Sequence, residues 1–455
     1  MNLTKMRKHH FVFYTIALTG LLTNCGSSND PKTVTPAPDP EEDSLFLAKV
    51  GEPLPAWTPG TLDVHSISTG RGESFLYIMP DGTTMIIDAA GSLITEEVVE
   101  KDPDQTAAPL IARPSLRISS STAIANYVKH FNPNGNKVDY WVNSHFDTDH
   151  MGNFPETYAA ISPLSKSIQK HAEGGFYLNG INELGTLLDF KKIIDRGYTT
   201  PVDRSGEKRF KDYIRFLKWT KSTKGTIYEP AKVGHTDQLV LNYLPTLYPD
   251  FKIRILCGGG YYWTGSGDNK KTYLPLNSDG IPDADAIKTA GSKENIYSIA
   301  IMLDWGKFNL FTGGDLQYNN RSVCSWYDAE APLCDIVHEV EVMKANHHGS
   351  KNANSYELLS KLSPKTLLLT PWRGTHPKIE ALADIVKASP LINIFATGVA
   401  QESRKAVAEY ADRFKAWEGH IVLRVAQDGQ YKIFCLDDTN EQYKVKGIFG
   451  TYQSK

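Results

Sequence analysis

The sequence predicts a layered α/β protein, and three observations carry that expectation. Short apolar runs rich in β-branched and aromatic residues recur along the chain, among them Leu62–Ser68, Phe75–Met79, Val138–Val142 and Phe308–Thr312. A helix-spaced segment between Ser119 and His130, with Ile124, Tyr127 and Val128 on one face, leads into one of them. Side chains able to bind metal follow directly after such runs: His145, Asp147, Asp149 and His150 after one, Asp315 after another, and His347 and His348 after a third.

Taken in order, the chain opens with a segment that is not part of the fold. Lys5, Arg7 and Lys8 form a positive head and Phe11 to Leu22 an apolar stretch, too short to span a bilayer and suited to a signal peptide over residues 1–24. Leu22-Thr23-Asn24-Cys25 resembles a bacterial lipobox, with Asn24 where a small residue is usual. That resemblance implies cleavage before Cys25 and its lipidation; an ordinary secreted protein with a chance cysteine is the plainer alternative. Residues 25–43 are rich in Pro, Ser and Asp, and read as a disordered tether that holds the folded part off a membrane of the bacterial envelope.

Composition fits a large globular remainder. Of 455 residues, 41% are hydrophobic, and 49 basic against 52 acidic residues leave a formal net charge of -3. No overall basicity therefore advertises a polyanion partner, although a nucleic-acid substrate is not excluded. With Cys25 acylated, Cys257, Cys324, Cys334 and Cys435 remain; Cys324 and Cys334 could pair, or all four could be small buried hydrophobes.

The folded part, residues 55–455, begins with two strand-like runs around the turn Thr69-Gly70-Arg71-Gly72-Glu73-Ser74. Pro80-Asp81-Gly82 then turns the chain into Thr84–Gly91, which carries Asp88. The decisive stretch is His145-Phe146-Asp147-Thr148-Asp149-His150, because it packs two imidazoles and two carboxylates into six positions behind the strand Val138–Val142. In an extended segment alternate side chains share a face, so His145, Asp147 and Asp149 would converge on one point while His150 reaches a second. Mixed imidazole and carboxylate ligation suits two divalent cations of the hydrolytic kind, zinc or manganese. A polar loop whose aspartates cap the next helix is the bland alternative.

His145-x-Asp147-x-Asp149-His150 resembles the metal-binding signature of the metallo-β-lactamase fold, with Asp147 where that family often has His. Leu310-Phe311-Thr312-Gly313-Gly314-Asp315 resembles the strand ending in its bridging Asp, and Asn346-His347-His348-Gly349-Ser350 the His-His-Gly-Ser motif of the branch containing the soluble domain of the DNA-uptake protein ComEC. The opening Gly-x-Gly-Glu-Ser and Asp88 fit the same branch. The resemblance implies an αββα sandwich, two mixed sheets face to face with helices outside, an inserted lid, and a dinuclear centre at the sheet edge. It further implies that Asp315 bridges both ions with its two oxygens and that Asp88 orients a ligand imidazole from behind, a strand-terminal Asp that starts a turn being the plainer alternative for Asp88. Either His347 or His348 completes the second metal. His347 is taken as the ligand and His348 as a hydrogen-bond or proton-transfer group.

The remaining elements are less legible. Leu184–Ile194 and Phe210–Trp219 read as helical within an insertion at about 155–235, expected to lie over the metals, with Tyr177, Tyr198 and Trp219 as pocket walls or, as is commoner for such aromatics, packed in the core. Gly234-His235-Thr236 is not read as a third ligand, since Asp237–Leu241 looks like the start of a strand pair ending at Leu247-Tyr248-Pro249. The stretch 258–294 reads as a long surface loop, Asn295–Leu303 as a strand and Glu339–Ala345 as another. His376, in Trp372-Arg373-Gly374-Thr375-His376-Pro377, is expected near the leaving group, or else as an exposed turn residue.

The function expected is a lipid-anchored metal-dependent hydrolase acting on phosphodiesters, with Asp149 orienting or deprotonating the nucleophilic water, a nuclease first by resemblance and a phosphocholine-type esterase second. A lactonase or lactamase is the rival enzyme. A surface-binding lipoprotein with a structural metal site is the rival outside enzymes.

Overall fold

A computed structural model describes residues 47–91, 110–115, 117–152, 169–290, 294–318 and 326–455. Cys25, the signal segment, the tether and Cys324 lie outside the described residues, as does the first part of the insertion that begins near residue 155.

Two mixed nine-stranded sheets dominate the folded unit. In spatial order the first runs Val445–Gln453, Gln430–Leu436, His420–Ala426, Thr61–Ser66, Phe75–Ile78, Thr84–Ile87, Lys137–Val142, Asp189–Asp195 and Ile227–Pro230. The second runs Phe414–Ala416, Asn393–Ala396, Thr366–Leu369, Val342–Lys344, Phe308–Thr312, Ala300–Trp305, Phe251–Gly258, Tyr261–Trp263 and Lys270–Thr272. Each sheet is antiparallel at one end and becomes parallel at the other, from Thr84–Ile87 onward in the first and from Phe308–Thr312 onward in the second.

The layering follows from strand alternation. Phe75, Tyr77, Met85, Ile87, Tyr140 and Val142 point into one core, which also holds Ile253, Ile301, Leu310, Val342 and Leu368 of the opposite sheet. The intervening Leu76, Ile78, Ile86 and Trp141 point the other way, onto helices Ser120–Phe131, Gly180–Leu187 and Lys208–Lys224. Met302, Phe311, Met343 and Leu367 do the same on the far side of the second sheet, against helices Tyr356–Leu362 and Ile379–Ala388. A period of two thus makes each sheet apolar on both faces, and four layers are the consequence. This is the αββα sandwich that the resemblance implies.

Several expectations are corrected here. Leu184–Ile194 is a helix only to Leu187; Asp189–Asp195 is a strand, because it pairs in parallel with Lys137–Val142 and extends the first sheet. The described part of the 155–235 segment is therefore built into the sheet edge. Tyr198 and Trp219 pack against the core under that sheet, Trp219 lying 5.5 Å from the Phe176 ring. The 258–294 stretch is not a plain loop: Tyr261–Trp263 and Lys270–Thr272 continue the second sheet and Ala284–Thr289 is a helix. Asp237–Leu241 forms no strand; a single 3-10 turn, Pro245–Leu247, occupies the region. Glu294–Tyr297 is a 3-10 turn and the strand begins at Ala300. The strand expected over Glu339–Ala345 is confined to Val342–Lys344. Cys257 and Cys435 are buried, packed in the cores as small apolar groups. Among the described residues, no helix is long and apolar enough to cross a membrane.

Candidate metal centre

The carboxyl ends of the central strands converge where the two sheets meet, and their loops carry the predicted side chains. Lys137–Val142 leads to His145 and His150, Phe308–Thr312 to Asp315, Val342–Lys344 to His347 and His348, and Thr366–Leu369 to Thr370 and His376. A backbone bond from Ile299 N–H to the Ser144 carbonyl, 2.9 Å, ties the loops of the two sheets together.

The loop after Val142 is not extended throughout. Thr148–Met151 is one helical turn with Asp147 at its N-cap position, so Asp149 swings away from His145 and Asp147 and joins His150. The alternation expected for His145, Asp147 and Asp149 therefore does not hold. Asp149, His150, Asp315 and His348 instead bring one ligand atom each to within 4.8 Å of one another, all buried. His145 Nε2 sits beside them, 3.6 Å from Asp147 Oδ2 and 3.9 Å from Asp315 Oδ2.

The proton positions follow from what lies behind each ring. His348 Nδ1 is 2.8 Å from the Thr370 carbonyl, which can only accept, so Nδ1 carries a proton and Nε2 faces inward. His150 Nδ1 donates to Asp88 Oδ2 at 2.7 Å. Ser144 uses its own proton on Asp88 Oδ2, 2.6 Å away, and so accepts from His145 Nδ1 at 3.0 Å. Asp88 thus orients two imidazoles, one directly and one through Ser144, which fixes their tautomers. Its left-handed backbone, φ 62, aims the carboxylate at both, and Ser144 N–H donates to its Oδ1 at 2.7 Å.

With three Nδ1 protons turned outward, three Nε2 atoms turn in. His150 Nε2 and His348 Nε2 stand 3.3 Å apart, with Asp315 Oδ2 at 3.1 Å and 3.3 Å from them and Asp149 Oδ2 3.0 Å from His348. His145 Nε2 is buried with no hydrogen-bond partner. Such a set of lone pairs is held together only by positive charge, either protons on the imidazoles or metal ions. Asp315 turns Oδ2 to the imidazoles while Oδ1 lies toward Lys344, 3.6 Å from Nζ. The two oxygens of this carboxylate thus face different groups, the imidazoles on one side and an ammonium on the other.

Backbone strain marks the same place. His347 and His348 are both left-handed, φ 47 and 55, a conformation costing on the order of 1–3 kcal/mol for a non-glycine residue. The reversal puts His348 inside the cluster and leaves His347 at its rim, 3.7 Å from Asp315 Oδ2 and 21% exposed. Gln317 and Asn295 lie 3.0 Å and 3.3 Å from the two His347 nitrogens. Two glycines permit close approach. A Cβ on Gly72, φ 124, would lie 2.0 Å from the Asp149 carbonyl oxygen, and one on Gly314, φ 54, would press on Ser144 and Ser298. Gly314 therefore makes room for side chains rather than for ions.

Electrostatics agree with the geometry. Burial works against charge on Asp149 and Asp315, but neighbouring His150 and His348 more than reverse it and hold both well below the usual carboxylate range. Burial likewise disfavours a charged His150, yet Asp315, Asp149 and Asp88 raise its pKa well above the usual value. His348, buried but facing Asp315 and Asp149, is pushed up to about 9 from 6.5. Burial lowers His347 to about 4. His376 is held well below 6.5 by burial and by His348 and His347; it stacks on His348 with centroids 5.4 Å apart and planes at 15°. His235 stays apart, paired with Asp237 and Asp268.

A raised histidine pKa sets a sign for pH. The contribution of His348 to the stability of the metal-free protein is complete below about pH 6.5 and is lost as pH rises through about 9. The unfolding temperature of chelator-treated protein should fall across that window. Metal must displace the same proton, so zinc affinity should rise with pH by about tenfold per unit for each proton released. Calorimetry in buffers of different ionisation enthalpy measures that release, and a proton-neutral binding event would contradict it.

Sequence reasoning passed over Glu73, Ser144, Lys344 and Thr370, all buried around the cluster. Glu73 Oε2 accepts from Thr370 Oγ1 at 2.7 Å and lies 2.8 Å from Lys344 Nζ. The first of these sits in the Gly-x-Gly-Glu-Ser stretch, the one signal that could have found it.

No family model matches the chain. Over 178 residues it is 21% identical to Recombination protein 2 of Haemophilus influenzae Rd, a match covering 37% of this chain and 20% of that protein; the chain thus spans about a fifth of this relative. Among solved structures, the metallo-β-lactamase fold protein YhfI of Bacillus subtilis aligns over 74% of this chain and 96% of its own, at 10% identity and a TM-score of 0.34. Zinc-bound PqqB of Methylobacterium extorquens aligns over 80% and 99%, at 11% identity and a TM-score of 0.30. A mutant of the CmlA beta-hydroxylase aligns over 81% and 54%, at 10% identity and a TM-score of 0.35.

Proposed function

We propose that this chain is a metal-dependent hydrolase of phosphodiesters, anchored at a bacterial envelope membrane by lipid on Cys25. The observation that supports a hydrolytic metal centre is the buried convergence of His150 Nε2, His348 Nε2, Asp149 and Asp315, with every imidazole Nδ1 committed outward. Asp149, His150, Asp315 and His348 would hold one ion, zinc or manganese; His145, Asp147 and Asp315 a second, with His347 at the rim beside them. Two such ions supply an activated water and charge stabilisation for an anionic transition state.

The residues themselves do the rest. Asp88 and Ser144 hold the Nδ1 protons of His145 and His150, so Nε2 is the nitrogen left to meet a metal ion. Within the tight cluster Asp149 has the most exposed side chain, 10% against 0% for His150 and His348. It is the group placed to accept a proton from water. His376 stays neutral and stacked on His348, available to hydrogen-bond a leaving oxygen. Arg373, over the Trp372 ring at 4.2 Å and acting on His376 through its charge, favours an anionic substrate. Nucleic acid stands first among phosphodiesters on the resemblance to the DNA-uptake branch.

Purified residues 43–455, assayed with bis(p-nitrophenyl) phosphate and a single-stranded DNA oligonucleotide under added manganese or zinc, should turn over one or both and stop on chelation. Metal-loaded protein that leaves both intact and opens a lactam or lactone would move the activity elsewhere. Anchoring is tested separately. Cys25→Ser should shift the full chain from the membrane pellet to the soluble fraction, because the acyl chains supply the apolar area that partitions into lipid; retention in the pellet would count against lipidation.

A further inference from the structure

Lys344 ends the strand Val342–Lys344 and is 1% exposed. Burying an ammonium is costly unless opposite charge and acceptors surround it. Here they do: Nζ donates to the Gly314 carbonyl at 2.6 Å, and lies 2.8 Å from Glu73 Oε2 and 3.6 Å from Asp315 Oδ1. Those contacts join the two sheets, since Glu73 belongs to the turn before Phe75–Ile78 and Gly314 to the loop after Phe308–Thr312. An apolar side chain would satisfy packing at this point of a strand, so the charge points to a task.

Asp315 shows what the task is. Its Oδ2 faces His150, His348, His347 and His145 at 3.1, 3.3, 3.7 and 3.9 Å, and its Oδ1 is turned to the Lys344 side. We infer that Lys344 is a positioning residue whose ammonium draws Oδ1 of Asp315 away from the imidazoles, so that this carboxylate meets metal through Oδ2. The inference rests on the metal centre proposed above. Without the ammonium, the carboxylate is free to turn both oxygens onto one ion, which changes the coordination number and spoils the geometry that serves the water. The same hub reaches His348, because Thr370 donates its hydroxyl to Glu73 Oε2 and its carbonyl accepts a hydrogen bond from His348 Nδ1–H.

Lys344→Met alone leaves Glu73 buried without its cation, a change that works against folding itself, so the test uses Lys344→Met combined with Glu73→Gln, beside Glu73→Gln alone. Each protein is stripped of metal, loaded with cobalt(II), and compared with the parent by visible absorption, cobalt content, unfolding temperature without metal, and kinetics on bis(p-nitrophenyl) phosphate. The double variant should fold and bind cobalt, yet show a weaker d–d band from the higher coordination number. Its kcat should fall by about tenfold or more while KM stays within about twofold. Glu73→Gln alone should keep the parent spectrum, since Lys344 is still present. A folded double variant with the parent spectrum and kcat would overturn the role, as would a Glu73→Gln spectrum matching that of the double variant. A parent protein that binds no cobalt would instead overturn the metal centre, and the inference with it.

Discussion

Asp315→Ala should leave a folded protein that retains less than a tenth of the metal bound by the parent after dialysis. The expectation follows from position: Oδ2 of this one carboxylate is the atom that all four imidazoles of the centre approach, His150 most closely at 3.1 Å. Loss of a partner that only orients a ligand costs about 10–100-fold in metal affinity, and removal of a shared ligand should cost at least as much. His348→Ala should also lower bound metal, and by more than His347→Ala. His348 Nε2 lies within the cluster, its Nδ1 proton pinned to the Thr370 carbonyl, whereas His347 stands at the rim with its nitrogens near Gln317 and Asn295. Metal content measured by mass spectrometry decides both comparisons. Two ions retained by Asp315→Ala would remove the basis of the proposed centre, and an equal loss from both histidine variants would remove the distinction between them.

Asp149→Asn should be the most damaging change to turnover that keeps side-chain size. It removes a charge held well below the usual carboxylate range by His150 and His348, and it presents an amide. Rotated so that its N–H groups face inward, that amide donates to the His348 Nε2 that now lies 3.0 Å from Oδ2, filling with a neutral donor the place a cation should take. It also ends the ability to accept a proton from water, a share of catalysis worth roughly a hundredfold or more. Hydrolysis of bis(p-nitrophenyl) phosphate under saturating manganese reads the effect. Turnover within about threefold of the parent would refute the role assigned to Asp149.

Much of the centre was legible because its residues are dense in the chain. His145, Asp147, Asp149 and His150 stand together behind a clear apolar strand, and His347-His348 behind another, so local spacing sufficed to nominate them. Local spacing failed for their grouping. It assumed an extended backbone where Thr148–Met151 is a helical turn, and it could not see that two successive left-handed residues put His348 rather than His347 inside the cluster. Ser144, Thr370, Glu73 and Lys344 were invisible for another reason. A serine, a threonine, a glutamate and a lysine beside strands are ordinary surface residues by composition, and only burial against one another gives them roles. The strands at 189–195 and 261–272 were missed similarly, because they are specified by pairing with neighbours far away in the chain more than by their own pattern.

The sequence by itself determined the short apolar runs that become strands, together with the ligand-bearing loops that follow particular ones; the four layers it carried only through the family resemblance. Period-two patterning and ligand clustering are properties of neighbours in the chain, and so can be read there. Tertiary structure alone decided which atoms meet. The outward placement of each Nδ1 proton, the turning of Asp315 Oδ2 to the imidazoles and Oδ1 to Lys344, and the choice of His348 for the cluster all depend on contacts between two sheets, whose relative position is set by the packing of the core between them.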